Sequence, residues 1–485
     1  MDFTHLFDGY GMLVRVSIDA GKATFQHRFV QSEAYKAFKA TGKMKVRPAA
    51  PLAPPGPGPA TPRGSPPLPP RSAPPAPQWR EFGTPLQMAG PLDAARELAR
   101  MTLGLAGAAQ GVTDNASVNV VSWDKERGTG VAMTENFDGF YEVDLASLDT
   151  LGRVPWKFNQ VPGMLTTAHP SRLATGEWLN IANDAGGKGV TLFKHTSGDA
   201  DRQAVAPAVP HRKGRWASWI HDFPASTGWA VVPQYPIYMD LVSIVSQRDV
   251  GKGFSFLEWR PEDGALYTAV KLDGSGEVRT FKMPTHFCYH FGNCFEDGEG
   301  NLVFDASVYD DAEASLRSLV LRGDDVVNAE IPASRFVRFS LPLSRGGRGE
   351  DDACLLEIPE PLAMDALDGA WEFPAVNNGR RGGPTRYSWG NCARRPARYV
   401  NAIAKMDSES GEAKVWHDWG SIPMEPCFVP RPGATEEDDG VVLSMVSGAA
   451  GTAFLVVLDA ASMEELARCH VDFALPYGFH GNWFP

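Results

Sequence analysis

DLASLDTLGR (residues 144–153) and DAASMEELAR (459–468) agree at five of their ten positions, although they lie at opposite ends of the chain. Each follows an apolar or β-branched run and precedes another. A strand, an Asp, a short turn and a second strand, used twice, suit a β-propeller built of repeated sheets better than a sandwich. The surroundings read the same way. "GWAVVPQYP" (228–236), "NLVFDASVY" (301–309), "GVVLSMVSG" (440–448) and "TAFLVVLD" (452–459) are strand-like runs bounded by Gly, Asp and Pro. Between such runs recur the turn signals "LDGSGE", "EDGEGN", "SESGEA" and "EEDDG". An all-β fold follows, and 485 residues suffice for one large domain or for two to three average ones.

Two segments stand apart. Residues 48–77 hold 14 of the 39 prolines and almost no core-forming side chain. Such a run cannot bury enough apolar surface to offset its ordering entropy, and reads as a disordered insertion. After it, "PLDAARELARMTLGLAGAAQG" (91–111) carries Leu92, Leu98 and Leu103 on a repeating face and is expected to be helical.

With 485 residues and 43% hydrophobic content the chain can build a large core. Its net charge of −12 argues against nucleic acid and against charge-driven binding to anionic lipid. No run reaches the ~18–20 apolar residues that span a bilayer, so membrane contact would be peripheral. Cys288, Cys294, Cys354, Cys392, Cys427 and Cys469 form no C-x-x-C and read as scattered, mostly buried thiols in a reducing compartment. The start, "MDFTHLFDGYGMLVRVSI", enters strand-like alternation with no targeting signal. No obligate protein partner is evident.

The histidines sort by their neighbours. His27, His195, His211, His417 and His470 sit among polar residues and read as solvated. Four others share another context: His169 in "GMLTTAHPSRLATGEWLN", His221 in "RWASWIHDFP", His290 in "FCYHFGNCFEDGEG" and His480 in the terminal "PYGFHGNWFP". Each stands at a strand edge among aromatic or aliphatic residues. Their gaps of 52, 69 and 190 residues exclude a helical metal motif. The axis of a propeller is where widely separated strands converge. Four imidazoles suit Fe(II), Zn, Cu or Ni alike.

A metal-bound imidazole gives its other N–H to a carboxylate or carbonyl. Glu135 in "VAMTENFDGF", Glu372 in "GAWEFPAVNN" and Glu425 in "IPMEPCFVPRPG" lie in apolar surroundings where a free charge is costly, and are candidate partners. Other signatures fail. "AGGKGVT" is not a P-loop, because Gly189 follows Lys188; "DGEGNL" lacks the glycine an EF-hand loop needs and reads as a hairpin turn; no G-x-S-x-G elbow occurs.

"HLFDGYGMLVRV" (5–16), the "AHP…TGE" around His169, "WIHDFP" (219–224), the His290 stretch, "EPCFVPRPGATEEDDGVVLSM" (425–445) and "PYGFHGNW" (476–483) together resemble the carotenoid cleavage oxygenase family. The resemblance implies a seven-bladed β-propeller in a single domain over residues 1–485, interrupted by the insertion at 48–77, with a few helices capping the substrate entrance. It implies one axial Fe2+ per chain on His169, His221, His290 and His480, with Glu135, Glu372 and Glu425 behind them. It also implies O2 as co-substrate, double-bond cleavage of an apolar carotenoid or apocarotenoid, and peripheral membrane contact.

Within the family, "SEAYKA" (32–37), "TDNASVNV" (113–120) and "LPYGFHGNW" (475–483) are most similar to a plastid subgroup. That subgroup converts 9-cis-β-apo-10'-carotenal to carlactone, a strigolactone precursor, or the all-trans form to β-apo-13-carotenone. Two residues depart from its pattern: Phe479 where it usually has Leu, and Gln234 where it usually has Glu. Phe223, Phe287, Tyr289, Phe291, Tyr477, Phe479 and Trp483 are candidate tunnel residues. If His480 is a ligand, Phe479, Gly481 and Trp483 should be buried around it. The alternatives are an oxygenase or isomerase of other specificity and a non-catalytic propeller binding apolar ligands.

Overall fold

The computed structural model describes residues 9–41, 114–157, 161–163, 165–187, 189–240, 257–319 and 330–484. The proline-rich stretch 48–77 and the expected helix 91–111 lie outside the described residues.

Among the described residues, six sheets of three to five strands follow one another along the chain. Sheet I holds Asn119–Asp124, Thr129–Met133, Tyr141–Asp144 and Thr150–Arg153. Sheet II holds Ser171–Arg172, Trp178–Asp184, Gly189–His195 and Gln203–Ala204. Sheet III holds Trp229–Gln234, Ala265–Lys271 and Val278–Met283, with Cys354–Leu355 added in parallel. Sheet IV holds Phe287–Glu296, Asn301–Tyr309 and Arg335–Pro342. Sheet V holds Glu372–Ala375, Tyr387–Cys392, Ala402–Asp407 and Ala413–His417. In sheet VI, Ile422–Pro423 and Cys427–Pro430 share the edge of Gly440–Ser447, followed by Ala453–Asp459 and Glu465–Val471. Apart from the parallel Cys354–Leu355 and the shared edge in sheet VI, successive strands of each sheet pair antiparallel, the local meander of a propeller blade.

The apolar side chains show how the blades close into a ring. One buried cluster, with Trp123, Met133 and Trp178, joins sheets I and II. A second, with Ile181, Val190 and Val232, joins II and III. A third, with Val231, Tyr267, Phe304 and Phe339, joins III and IV. Phe336 and Trp371 join IV to V, and Trp389 with Val442 and Phe454 joins V to VI. The hairpin Met12–Asp19/Lys22–Phe29 spans the remaining gap. Its Leu13 and the following Val30 pack on Tyr141 and Val143 of sheet I, while the His27 ring meets that of Phe473, just beyond sheet VI, tilted at a centroid distance of 4.5 Å. Of the seven blades expected, six are multi-stranded sheets, and this two-stranded hairpin sits where the ring closes. Apolar burial between blades is the main stabilising term in such a fold.

The repeated decapeptide is one structural unit. Asp144 Oδ1 accepts from the N–H groups of Ala146 and Ser147, and Asp459 Oδ1 from those of Ala461 and Ser462. Four residues after each Asp the chain enters the left-handed region, at Leu148 (φ 62°) and Met463 (φ 64°). Sheet V uses the same turn, with Asp407 Oδ1 taking Glu409 and Ser410 N–H and Gly411 at φ 72°.

Few helices are described. Glu33–Thr41 is tied at its start to Asp114, and Ala312–Arg317 packs Leu316 into the cluster between sheets III and IV. None is long and apolar enough to cross a membrane among the described residues. All six cysteines are free; Cys288, Cys294 and Cys392 are buried, and burial pushes the Cys288 thiol up to about 12.

Candidate metal centre

His290 lies within the first strand of sheet IV, whose pairing with the second slips between Cys288 and Phe291 and again between Phe291 and Cys294. Such bulges re-aim side chains and recur beside active sites. His221 follows sheet II on a loop fixed by the Ser218–Tyr238 bridge and by Ser218 Oγ–H donating to Tyr235 O. Asp222 anchors the same loop by accepting from Phe223 N and from Phe291 N, the residue after His290. Burial pushes Asp222 up to about 6. His169 precedes sheet II, its own N–H donating to Thr167 Oγ1. His480 arrives on the tail after sheet VI. There Gly478 packs against Met424, whose Sδ would lie 2.8 Å from an added Cβ and would have to move aside for any larger residue.

These four imidazoles meet. The ligand-capable nitrogens of His169, His221, His290 and His480 all lie within 4.8 Å of one another. His221 Nε2 is 3.2 Å from His169 Nε2 and 3.1 Å from His290 Nε2. Two ligands at right angles on a metal with ~2.1 Å bonds stand about 3 Å apart, so the spacing fits a divalent ion.

The Nδ1 sides are taken by carboxylates. His221 Nδ1 bonds Glu135 Oε1, His290 Nδ1 lies 2.5 Å from Glu372 Oε2, and His480 Nδ1 lies 3.1 Å from Glu425 Oε1. These bonds fix the Nδ1–H tautomer and leave the Nε2 lone pairs of His221 and His290 facing each other. Two bare acceptors so close repel unless a cation stands between them.

The electrostatics agree. Burial, then the neighbouring imidazoles, holds His169 and His290 well below the ordinary imidazole range. Burial also opposes charge on His221, but the Glu135 carboxylate outweighs it and raises that group. Burial pushes Glu372 up to about 7 against the opposing donors Tyr309 and Phe373 N–H. The low-lying imidazoles of His169 and His290 stay neutral and able to ligate a metal, while the Glu135 carboxylate beside His221 favours positive charge there, whether a proton or a metal ion carries it.

The whole length of the chain, residues 1–485, matches the retinal pigment epithelial membrane protein family. The chain belongs to the carotenoid cleavage oxygenases. This oxygenase is 32% identical to carotenoid cleavage dioxygenase 8 homolog B, chloroplastic, of Oryza sativa subsp. japonica, covering 100% of this chain and 77% of that protein. It is 30% identical to carotenoid cleavage dioxygenase 8, chloroplastic, of Arabidopsis thaliana, over 100% and 78%. Human carotenoid-cleaving dioxygenase, mitochondrial, is 28% identical over 100% and 83%. The cobalt-substituted Synechocystis apocarotenoid oxygenase has the same fold, with a TM-score of 0.72 at 20% identity over 99% of this chain and 88% of that one. Membership makes the chain an enzyme of the carotenoid cleavage dioxygenase class.

The other expected site residues in this oxygenase divide. Tyr289 stands 5.5 Å from the His221 ring and Phe479 packs half-buried against the core between sheets III and IV. Tyr477 is half-buried against Phe479. Phe223, Phe287 and Phe291 are buried among blade-core side chains: Phe223 between sheets II and III, Phe287 beside Trp219, Phe291 against Phe304. Gly481 and Trp483 are not buried around His480; the tail turns outward there and Trp483 is 40% exposed. Gln234 is buried with its Nε2 donating to Pro210 O.

Sequence context also misplaced His195, which is buried between Trp123 and Trp156 and pushed down to about 4 by burial. His286 went unremarked and is buried, its Nε2 2.7 Å from the Tyr267 hydroxyl. Phe373 was missed although it follows Glu372. Its ring lies 4.8 Å from His290 and 5.4 Å from His480, on a backbone at φ 52° that a bulky residue rarely adopts.

Proposed function

We propose that His169, His221, His290 and His480 hold one Fe(II), and that Glu135, Glu372 and Glu425 orient three of them. The observation that carries this reading is the pair of Nε2 atoms, 3.1 Å apart, whose partner nitrogens are both committed to glutamates. Bound iron(II) would supply activation of O2 toward a conjugated double bond. The protein's own residues have a different task. Phe373 and Tyr289, against the imidazoles, exclude water and present an apolar wall to a polyene. Phe479, one residue before a ligand, shapes the space beside it.

For the substrate we propose an apocarotenal, 9-cis- or all-trans-β-apo-10'-carotenal, giving carlactone or β-apo-13-carotenone in a plastid, with peripheral membrane contact for uptake. Support comes from the whole-length similarity to chloroplastic carotenoid cleavage dioxygenase 8 proteins of rice and Arabidopsis. The test is anaerobic iron loading, then incubation of the full chain with each isomer under O2 and product identification by mass. Cleavage of either isomer at the expected bond supports the assignment. Turnover of other carotenoids alone would sink the substrate claim, and no turnover by iron-loaded protein would sink the catalytic one.

A further inference from the structure

Each glutamate at the metal centre has one oxygen on an imidazole Nδ1 and the other on a second donor. For Glu135 that donor is the indole Nε1–H of Trp219, 3.2 Å from Oε2. For Glu372 it is the Tyr309 hydroxyl, 2.7 Å from Oε1. For Glu425 it is the backbone N–H of Gly481, 3.0 Å from Oε2. Trp219 and Tyr309 are 6% and 5% exposed, so water competes little for either bond.

A carboxylate gripped at one oxygen still turns about its last side-chain torsion, which has a broad, two-fold profile. A second donor removes that freedom and fixes the plane of the carboxylate. The plane sets the direction from which Nδ1 is held, and Nδ1 sets where Nε2 points. Tyr309 ends the second strand of sheet IV and Trp219 precedes His221 by two residues, so both donors stand on packed backbone.

We propose that Tyr309 and Trp219 are positioning residues of the metal centre: Tyr309 orients His290 through Glu372, and Trp219 orients His221 through Glu135. The inference rests on the metal reading above. The third arm uses a main-chain donor, so its aim depends on the tail's conformation rather than on a side chain.

Tyr309→Phe and Trp219→Phe each remove the donor and keep an aromatic ring. Tyr267→Phe is the control, because its phenol lies in the same core but meets His286 and no glutamate. The probe is Co2+ alone, titrated into metal-free full-length protein against a competing chelator and followed by visible absorption. Removing a direct partner of a ligand costs about 10–100-fold in affinity. One bond further out, Tyr309→Phe and Trp219→Phe are expected to weaken Co2+ about 3–10-fold and to shift its absorption bands. Tyr267→Phe should do neither, whatever it does to the melting temperature. In a Glu372→Gln background the Tyr309→Phe effect should largely disappear, since the two act through one arm. Parental affinity and spectrum in folded Tyr309→Phe and Trp219→Phe would overturn the proposal, as would an undiminished effect in the Glu372→Gln background. If instead His221→Ala binds Co2+ like the parent, the metal reading itself fails and this inference with it.

Discussion

Asn482 Nδ2–H donates to Val120 O at 2.7 Å, tying the tail two residues past His480 to the first strand of sheet I. In the same place Asn119 Nδ2–H donates to Ala168 O, the residue before His169, at 2.7 Å. Two segments that carry histidines of the cluster and lie far apart in sequence are therefore stitched to one strand. The segment 480–482 thus brings one of the four clustered histidines and a seam of the ring together.

Deleting residues 479–485 should abolish metal-dependent cleavage while leaving most of the β-structure, since sheets I to VI keep their own packing. Circular dichroism and bound-metal analysis check this. A truncated protein that cleaves apocarotenals at the parental rate would make His480 an ordinary packed histidine. Asn482→Ala keeps the ligand and loosens the seam, so a loss smaller than that of the deletion is expected.

His169→Ala, His221→Ala, His290→Ala and His480→Ala should each lose or greatly weaken iron, measured by elemental analysis after expression with ample iron. Glu135→Gln, Glu372→Gln and Glu425→Gln should be milder, about 10–100-fold in affinity or activity. Zinc in place of iron under those conditions contradicts the assignment.

Phe479→Leu should keep iron and change selectivity, because the Phe479 ring fills space between Tyr477 and the core beside His480. The reading is the ratio of 9-cis to all-trans turnover. An unchanged ratio removes Phe479 from the pocket wall.

Asp263 gives a pH prediction away from the metal. Arg215 grips both its oxygens, at 2.6 and 2.7 Å, and the hydrogen bond from that guanidinium holds its carboxyl down at about 2. A carboxylate depressed in the folded state stabilises fully above its unfolded pKa near 4 and loses that contribution as pH falls toward 2. After screening by solvent this is worth about 1 kcal/mol. Urea unfolding of Asp263→Asn against the parent should show that gap at pH 6 and a shrinking one below pH 4. A gap independent of pH would mean the pair contributes through packing alone.

The sequence by itself determined the strand-and-turn composition and the repeated Asp turn, and it singled out the four histidines and three glutamates that the fold brings together. These were legible because local chemistry imposes them: an Asp that caps its own turn, an imidazole in an apolar context, a carboxylate where charge is costly. Tertiary structure decided what local chemistry leaves open. His195 sits among polar neighbours in sequence yet is buried by two tryptophans from another blade and its flank. Trp483 looks like core and is turned to solvent because the backbone runs outward past His480, leaving residues 481–483 exposed. Trp219, Tyr309 and Phe373 gain their places only when blades converge on the axis. Which side chains meet there depends on how sheets pack around the ring, and no spacing along the chain encodes that.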